Sequence, residues 1–122
     1  MLQSTLTKIE KILKVQLKLQ NDIIADVLEL LKHYKKTMWL YPGVLKRKLS
    51  LPTKDVYSIC ALLEQEGILK SYYELYCGNC QKSSGLTFEA INQIPPEFEC
   101  EMCGEKQLGL ENTVIIFKVM AE

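Results

Sequence analysis

A single histidine, His33, is all the imidazole this 122-residue chain possesses. Histidine-based metal sets are thereby removed, and with no serine or free cysteine arranged around it His33 reads as a solvated helical residue. There is no glycine-rich phosphate loop and no paired-carboxylate motif, so neither catalysis nor a small-molecule substrate is expected. No stretch approaches the ~18 consecutive apolar residues of a membrane span. Met1-Leu2-Gln3-Ser4 lacks the cationic start and apolar block of a secretory signal, which predicts a reducing, cytoplasmic or nucleoid-associated setting. Net charge is missing too, because fifteen Lys/Arg balance fifteen Asp/Glu.

That zero conceals a division. Residues 1–54 hold eleven basic against four acidic residues, and residues 55–122 hold four against eleven, so the halves carry +7 and −7. A partner of the basic half is therefore not expected to engage the acidic half in the same way. With 48% apolar and 25% charged residues the chain is otherwise of ordinary globular composition, with room for one domain or one domain with a small insert.

Residues 4–19 read as an amphipathic helix, forming with the preceding residues an N-terminal segment 1–20. Leu2, Leu6, Ile9, Ile12, Leu13, Leu17 and Leu19 share one side, and Lys8, Lys11, Lys14 and Lys18 the other. Such a helix packs on the domain or on a twin subunit with its lysines solvated, or it offers them to a phosphate backbone, a membrane surface or a larger protein partner. Asn21-Asp22 offers a break and a fresh N-cap. A second helix is then expected from Ile23 to about Lys36, its last turn carrying Lys32, Lys35 and Lys36; with no Pro or Gly between, the two helices are equally readable as one. Trp39-Leu40-Tyr41-Pro42-Gly43 reads as a connector, its tryptophan either core or an apolar anchor. Val44–Leu49 reads as a short helix, and Ser50-Leu51-Pro52 as a turn. Pro52 suits the first position of a helix over 52–66, with Val56, Ile59, Cys60 and Leu63 as its core stripe and Gly67 just past its end. Cys60 belongs to that core. Residues 68–76 and 114–119 are strand-prone, with Tyr72, Tyr73 and Tyr76 read as packing residues.

Cys77-x₂-Cys80, nineteen residues, then Cys100-x₂-Cys103 is the strongest signal in the chain. Each two-residue gap lets both thiolates of a knuckle turn onto one ion, and two knuckles complete a tetrahedral set. Soft thiolates in that geometry select Zn²⁺, with iron as the main alternative. Four cysteines leave no open position, so the expected zinc is single and structural. Gly78 and Gly104 are placed to permit the tight backbone.

The stretch Asp55-Val-Tyr-Ser-Ile-Cys-Ala-Leu-Leu-Glu-Gln-Glu-Gly67-Ile-Leu-Lys resembles the recognition helix and first wing strand of the winged helix-turn-helix superfamily, and the cysteine pattern looks like a zinc ribbon. The resemblance implies an α+β fold with a winged-helix domain over 21–76, completed by a strand at 113–120, and a ribbon over 77–112. The ribbon is inserted in the wing or follows it, insertion being favoured because the two long strands otherwise lack partners. The module order resembles archaeal general transcription factor E and its eukaryotic relatives, although the chain is short for that family and an inserted ribbon departs from it. Double-stranded DNA is then one expected partner, contacted by Lys46, Arg47, Lys48, Thr53, Lys54, Tyr57 and Ser58. Asp55, Glu64 and Glu66 oppose this, and a protein–protein adaptor within a larger assembly is the other reading.

Overall fold

The computed structural model describes all 122 residues. Its fold is mixed α+β, with four α-helices, a four-stranded antiparallel sheet and a separate two-stranded hairpin. The helices are α1 (Gln3–Gln16), α2 (Asn21–Leu31), α3 (Pro42–Leu49) and α4 (Thr53–Gln65). The strands are β1 (Trp39–Leu40), β2 (Leu69–Tyr76), β3 (Ser83–Phe88), β4 (Glu97–Glu99), β5 (Lys106–Leu108) and β6 (Thr113–Val119). The sheet order is β1-β6-β2-β3, and β4 pairs with β5 alone. None of the helices is long and apolar enough to cross a membrane.

The chain divides into two compact units, residues 1–70 with 117–122 and residues 71–116. In the first, the apolar periodicity of every helix converges on one core. Ile9, Leu13, Val27, Leu31, Leu45, Ile59 and Leu63 are all essentially inaccessible, joined by Leu69, Phe117 and Val119 from the strands. Removing this much apolar surface from water, at about 25 cal/mol per Å², is the main stabilising term. α1 is part of that core, and Lys8, Lys11, Lys14 and Lys18 remain exposed. The second unit is thinly cored. Its buried apolar side chains are Leu75, Ile94 and Ile116, accompanied by Cys77 and Cys100.

Several element ends differ from the sequence-based expectation, each for a local reason. α1 stops at Gln16 rather than 19, because Lys18 adopts a left-handed backbone (φ 52°) and the break lets both Leu17 and Leu19 pack against the core. Leu2 precedes the helix and is 57% exposed. Asn21 and Asp22 occupy the first turn of α2 instead of capping it; Gln20 is the N-cap and makes no side-chain bond. α2 ends at Leu31, so Lys35 and Lys36 lie beyond it in a turn closed by Thr37 (φ 79°). The Trp39–Leu40 connector is a short strand paired with Lys118 and Phe117 of β6, with the Lys118 ammonium 5.5 Å from the Trp39 ring centre. α3 starts two residues early, at Pro42, whose missing N–H suits a first helical position. Pro52 is the N-cap of α4, extended at ψ 150°, and not its first residue. α4 closes as expected at Gly67 (φ 74°): the Gly67 amide donates to the Glu64 carbonyl and the Ile68 amide to the Leu63 carbonyl, the double bond of a Schellman end.

β2 and β6 are neighbours in the sheet, and residues 77–112 lie between them in the chain.

Candidate metal centre

The turn between β2 and β3 carries Cys77 and Cys80, and the turn between β4 and β5 carries Cys100 and Cys103. Both turns are built alike. The amide of the first cysteine donates five residues onward, Cys77 to the Lys82 carbonyl (2.8 Å) and Cys100 to the Glu105 carbonyl (3.0 Å). Its carbonyl accepts from four residues onward, from Gln81 (2.9 Å) and from Gly104 (2.8 Å). That fourth residue is left-handed in both, Gln81 at φ 62° and Gly104 at φ 74°. Gly104 therefore supplies the conformational freedom expected of it. Gly78 does something else: a Cβ there would lie 2.5 Å from Asn112 Oδ1 and 3.2 Å from Gln107 Oε1.

This backbone turns all four sulfur atoms inward to within 4.8 Å of one another. Cys77 Sγ lies 3.6 Å from Cys103 Sγ, and Cys80 Sγ 3.7 Å from Cys100 Sγ. Tetrahedral coordination at a metal–sulfur length of ~2.3 Å needs sulfur–sulfur edges of ~3.8 Å. The four free thiols can hold one metal ion with little rearrangement.

The surroundings of Cys77 favour its thiolate. The amide of Cys80 donates to Cys77 Sγ at 3.3 Å, and Gln107 Nε2 donates to the same sulfur at 2.7 Å. These donors, the Cys80 amide foremost, pull the Cys77 thiol down to about 6 despite its burial. Sharing a proton with Cys77 pushes Cys80 up to about 11. Gln107 also accepts from the Gly78 amide at 2.6 Å, so one amide side chain spans the knuckle backbone and its buried sulfur. Sequence reading missed Gln107. Its one signal was a polar residue at the centre of a short strand just past the last cysteine, opposite Phe98.

The residues expected at a DNA surface all lie on the first unit. Lys46, Arg47 and Lys48 are exposed on the last turns of α3, and Thr53, Lys54 and Tyr57 are exposed on α4. Lys46, Thr53 and Tyr57 meet, lining with Pro42, Gly43 and Val56 a shallow cleft of about 120 Å³. Ser58 does not join them; it is half-buried, and its hydroxyl donates back to the Lys54 carbonyl at 2.9 Å. Of the opposing acids, Glu66 is engaged by Lys8 at 3.5 Å. Cys60 is fully buried, its thiol pushed up to about 12 by desolvation, as befits a core residue. His33 is exposed on the surface beside Glu29. No family model, curated protein or solved structure matches the chain.

Proposed function

We propose that the chain is a non-enzymatic, zinc-containing winged-helix module that associates with duplex DNA. The observation that carries the reading is the cationic shelf where α3 meets α4. Lys46, Arg47, Lys48 and Lys54 are all exposed on α3 and α4, and Lys46 lines the cleft with Thr53 and Tyr57, while Lys8 and Lys32 are drawn to carboxylates. A left-handed Ser50 (φ 53°) turns α3 into α4 and presents the N-terminal end of α4 beside those cations. In that geometry cations hold phosphates while short polar and aromatic side chains reach base edges.

The order α2–β1–α3–α4–β2–β6, with β6 between β1 and β2, supports the winged-helix part of the reading. The inserted cysteine knuckles support the zinc-ribbon part. Zinc is the ion of choice because four soft thiolates in a closed, near-tetrahedral set suit it, and bound there it would fold and fix the second unit. A role in transcription regulation follows from the likeness in module order to archaeal transcription factor E.

The test is a salt titration of the zinc-loaded chain with labelled mixed-sequence duplex. Four phosphate contacts predict a slope of about −3.6 in log affinity against log salt, hence a loss of roughly a hundredfold between ~50 and ~200 mM. Lys46→Glu/Arg47→Glu should weaken binding uniformly across sequences. A flat salt response, or unchanged binding by the double variant, would refute the assignment. The adaptor reading is favoured by a separate observation, an apolar groove in the metal-bearing unit.

A further inference from the structure

Residues 71–116 contain seven acidic and two basic residues, a balance of −5, and four thiolates around a divalent ion add two more negative charges. Within this unit a cavity of about 210 Å³ opens beside the candidate metal centre, lined by Cys77 and Cys100 as well as by β3 and the second knuckle. Leu86, Phe98 and Met102 are its large apolar side chains, Glu99 and Glu101 also line it, and Lys82 is its only cation. Leu86 is 53% exposed and Met102 68%, large for apolar side chains whose burial would be favourable. We infer that this cavity receives one apolar side chain from a lysine- or arginine-rich segment of a partner protein, whose cations face the surrounding glutamates.

Size, shape and charge each narrow the occupant. Small-molecule pockets run to about 300–1,000 Å³, so this one suits a single side chain better than a cofactor. Met102 is unbranched and adaptable, the residue type that moulds to varied partners. Duplex phosphate and anionic membrane are both repelled by a unit of this charge, whereas a cationic peptide is drawn to it. Addition of a partner strand to β3 is disfavoured by the backbone. β3 departs from regular register between Glu74 and Tyr76 of β2, and Gly85 is left-handed at φ 79°. The amides of Gly85 and Leu86 are already given to the hydroxyls of Ser83 and Ser84, at 3.0 and 3.1 Å. Such an edge is blunted, so recognition falls to side chains. The contact is independent of the DNA reading, which concerns the other unit.

The experiment uses the full, zinc-loaded chain and a fluorescein-labelled peptide carrying one leucine between two runs of lysine, followed by anisotropy at about 0.15 M salt. Saturable binding is expected, weakened about tenfold or more when the peptide leucine becomes alanine. The same loss is expected for Met102→Asp and, separately, for Leu86→Ser, each at unchanged zinc content; two exposed sites guard against a folding artefact. Three results would overturn the inference: no binding up to about 1 mM peptide, binding indifferent to the leucine, or binding that survives both variants. It would equally fall if Met102→Asp abolished a concentration-dependent self-association of the chain. The groove would then hold a second copy, through the exposed Val15 that lies among Lys11, Lys14 and Lys18 of α1.

Discussion

Replacing Gln107 isolates what a neutral side chain contributes to the metal site. Its Nε2 lies 2.7 Å from Cys77 Sγ and its Oε1 accepts from the Gly78 amide at 2.6 Å, so Gln107→Leu removes both bonds at similar volume. The Gly78 amide is exposed and finds water instead, which leaves the thiolate bond as the main loss. Hydrogen bonds to charged groups contribute about 1.5–3 kcal/mol. A metal-bound thiolate has given part of its charge to the ion, which argues for the low end. Loss of such an outer partner typically costs 10–100-fold in metal affinity, or about 1.4–2.7 kcal/mol, and the two routes agree. Gln107→Leu should therefore raise the zinc dissociation constant by about 10–100-fold. Gln107→Glu keeps an acceptor for Gly78 but points a carboxylate at a thiolate, so its loss should be at least as large and should grow at low salt. Competition against a chromogenic zinc chelator at neutral pH reads both, with thermal unfolding of the first unit as control. A change below about threefold in both variants would refute the reasoning, because the sulfur would then be indifferent to its donor.

Cys100→Ser should abolish stoichiometric zinc and unfold residues 71–116, since Leu75, Ile94 and Ile116 are too few to hold the unit unaided. Metal analysis with amide exchange checks this, and a protected, metal-free second unit would show that its small core suffices. In the assembled knuckle Cys77 is drawn to about 6, chiefly by the Cys80 amide with Gln107 adding to it. A depressed folded pKa stabilises the metal-binding fold above the ordinary cysteine value, and that contribution is lost as pH falls through about 6. Zinc retention against a chelator across this window tests it, and retention independent of pH would contradict it. Leu13→Ala should cost about 2–5 kcal/mol in urea unfolding of the first unit, as for any fully buried leucine. A cost under about 1 kcal/mol would make α1 an appendage.

What the sequence displayed was whatever is decided locally. Cysteine spacing within a knuckle is a short-range property, so the four thiols were legible as one cluster, and helical apolar spacing located α1, α2 and α4 and most of their buried residues. Helix ends were less legible. Lys18 carries no turn signature, yet it takes the left-handed backbone because Leu17 and Leu19 both gain burial by it. Asn21 and Asp22 look like caps, but where α2 begins is fixed by Ile24, Val27 and Leu31 reaching the core. β1 is two residues long and exists through its pairing with Lys118 and Phe117, which no local window contains. The same holds for Gln107, thirty residues from the sulfur it serves. Gly78 was legible as necessary but for the wrong cause: it makes room for Asn112 and Gln107, and the left-handed turn falls to Gln81.

The place of β6 in the sheet has a kinetic consequence. The first unit cannot finish its own core until Phe117 and Val119 arrive, forty-six residues (71–116) after the chain has left it. Joining the ends of such a segment costs about 3.4 kcal/mol in chain entropy, from the logarithmic dependence on length. A metal clip between Cys77 and Cys103 shortens the effective path to about twenty residues and returns only about 0.7 kcal/mol, roughly threefold in the rate of closure. An ion held by the four cysteines would be, for the first unit, a modest accelerator of its last strand.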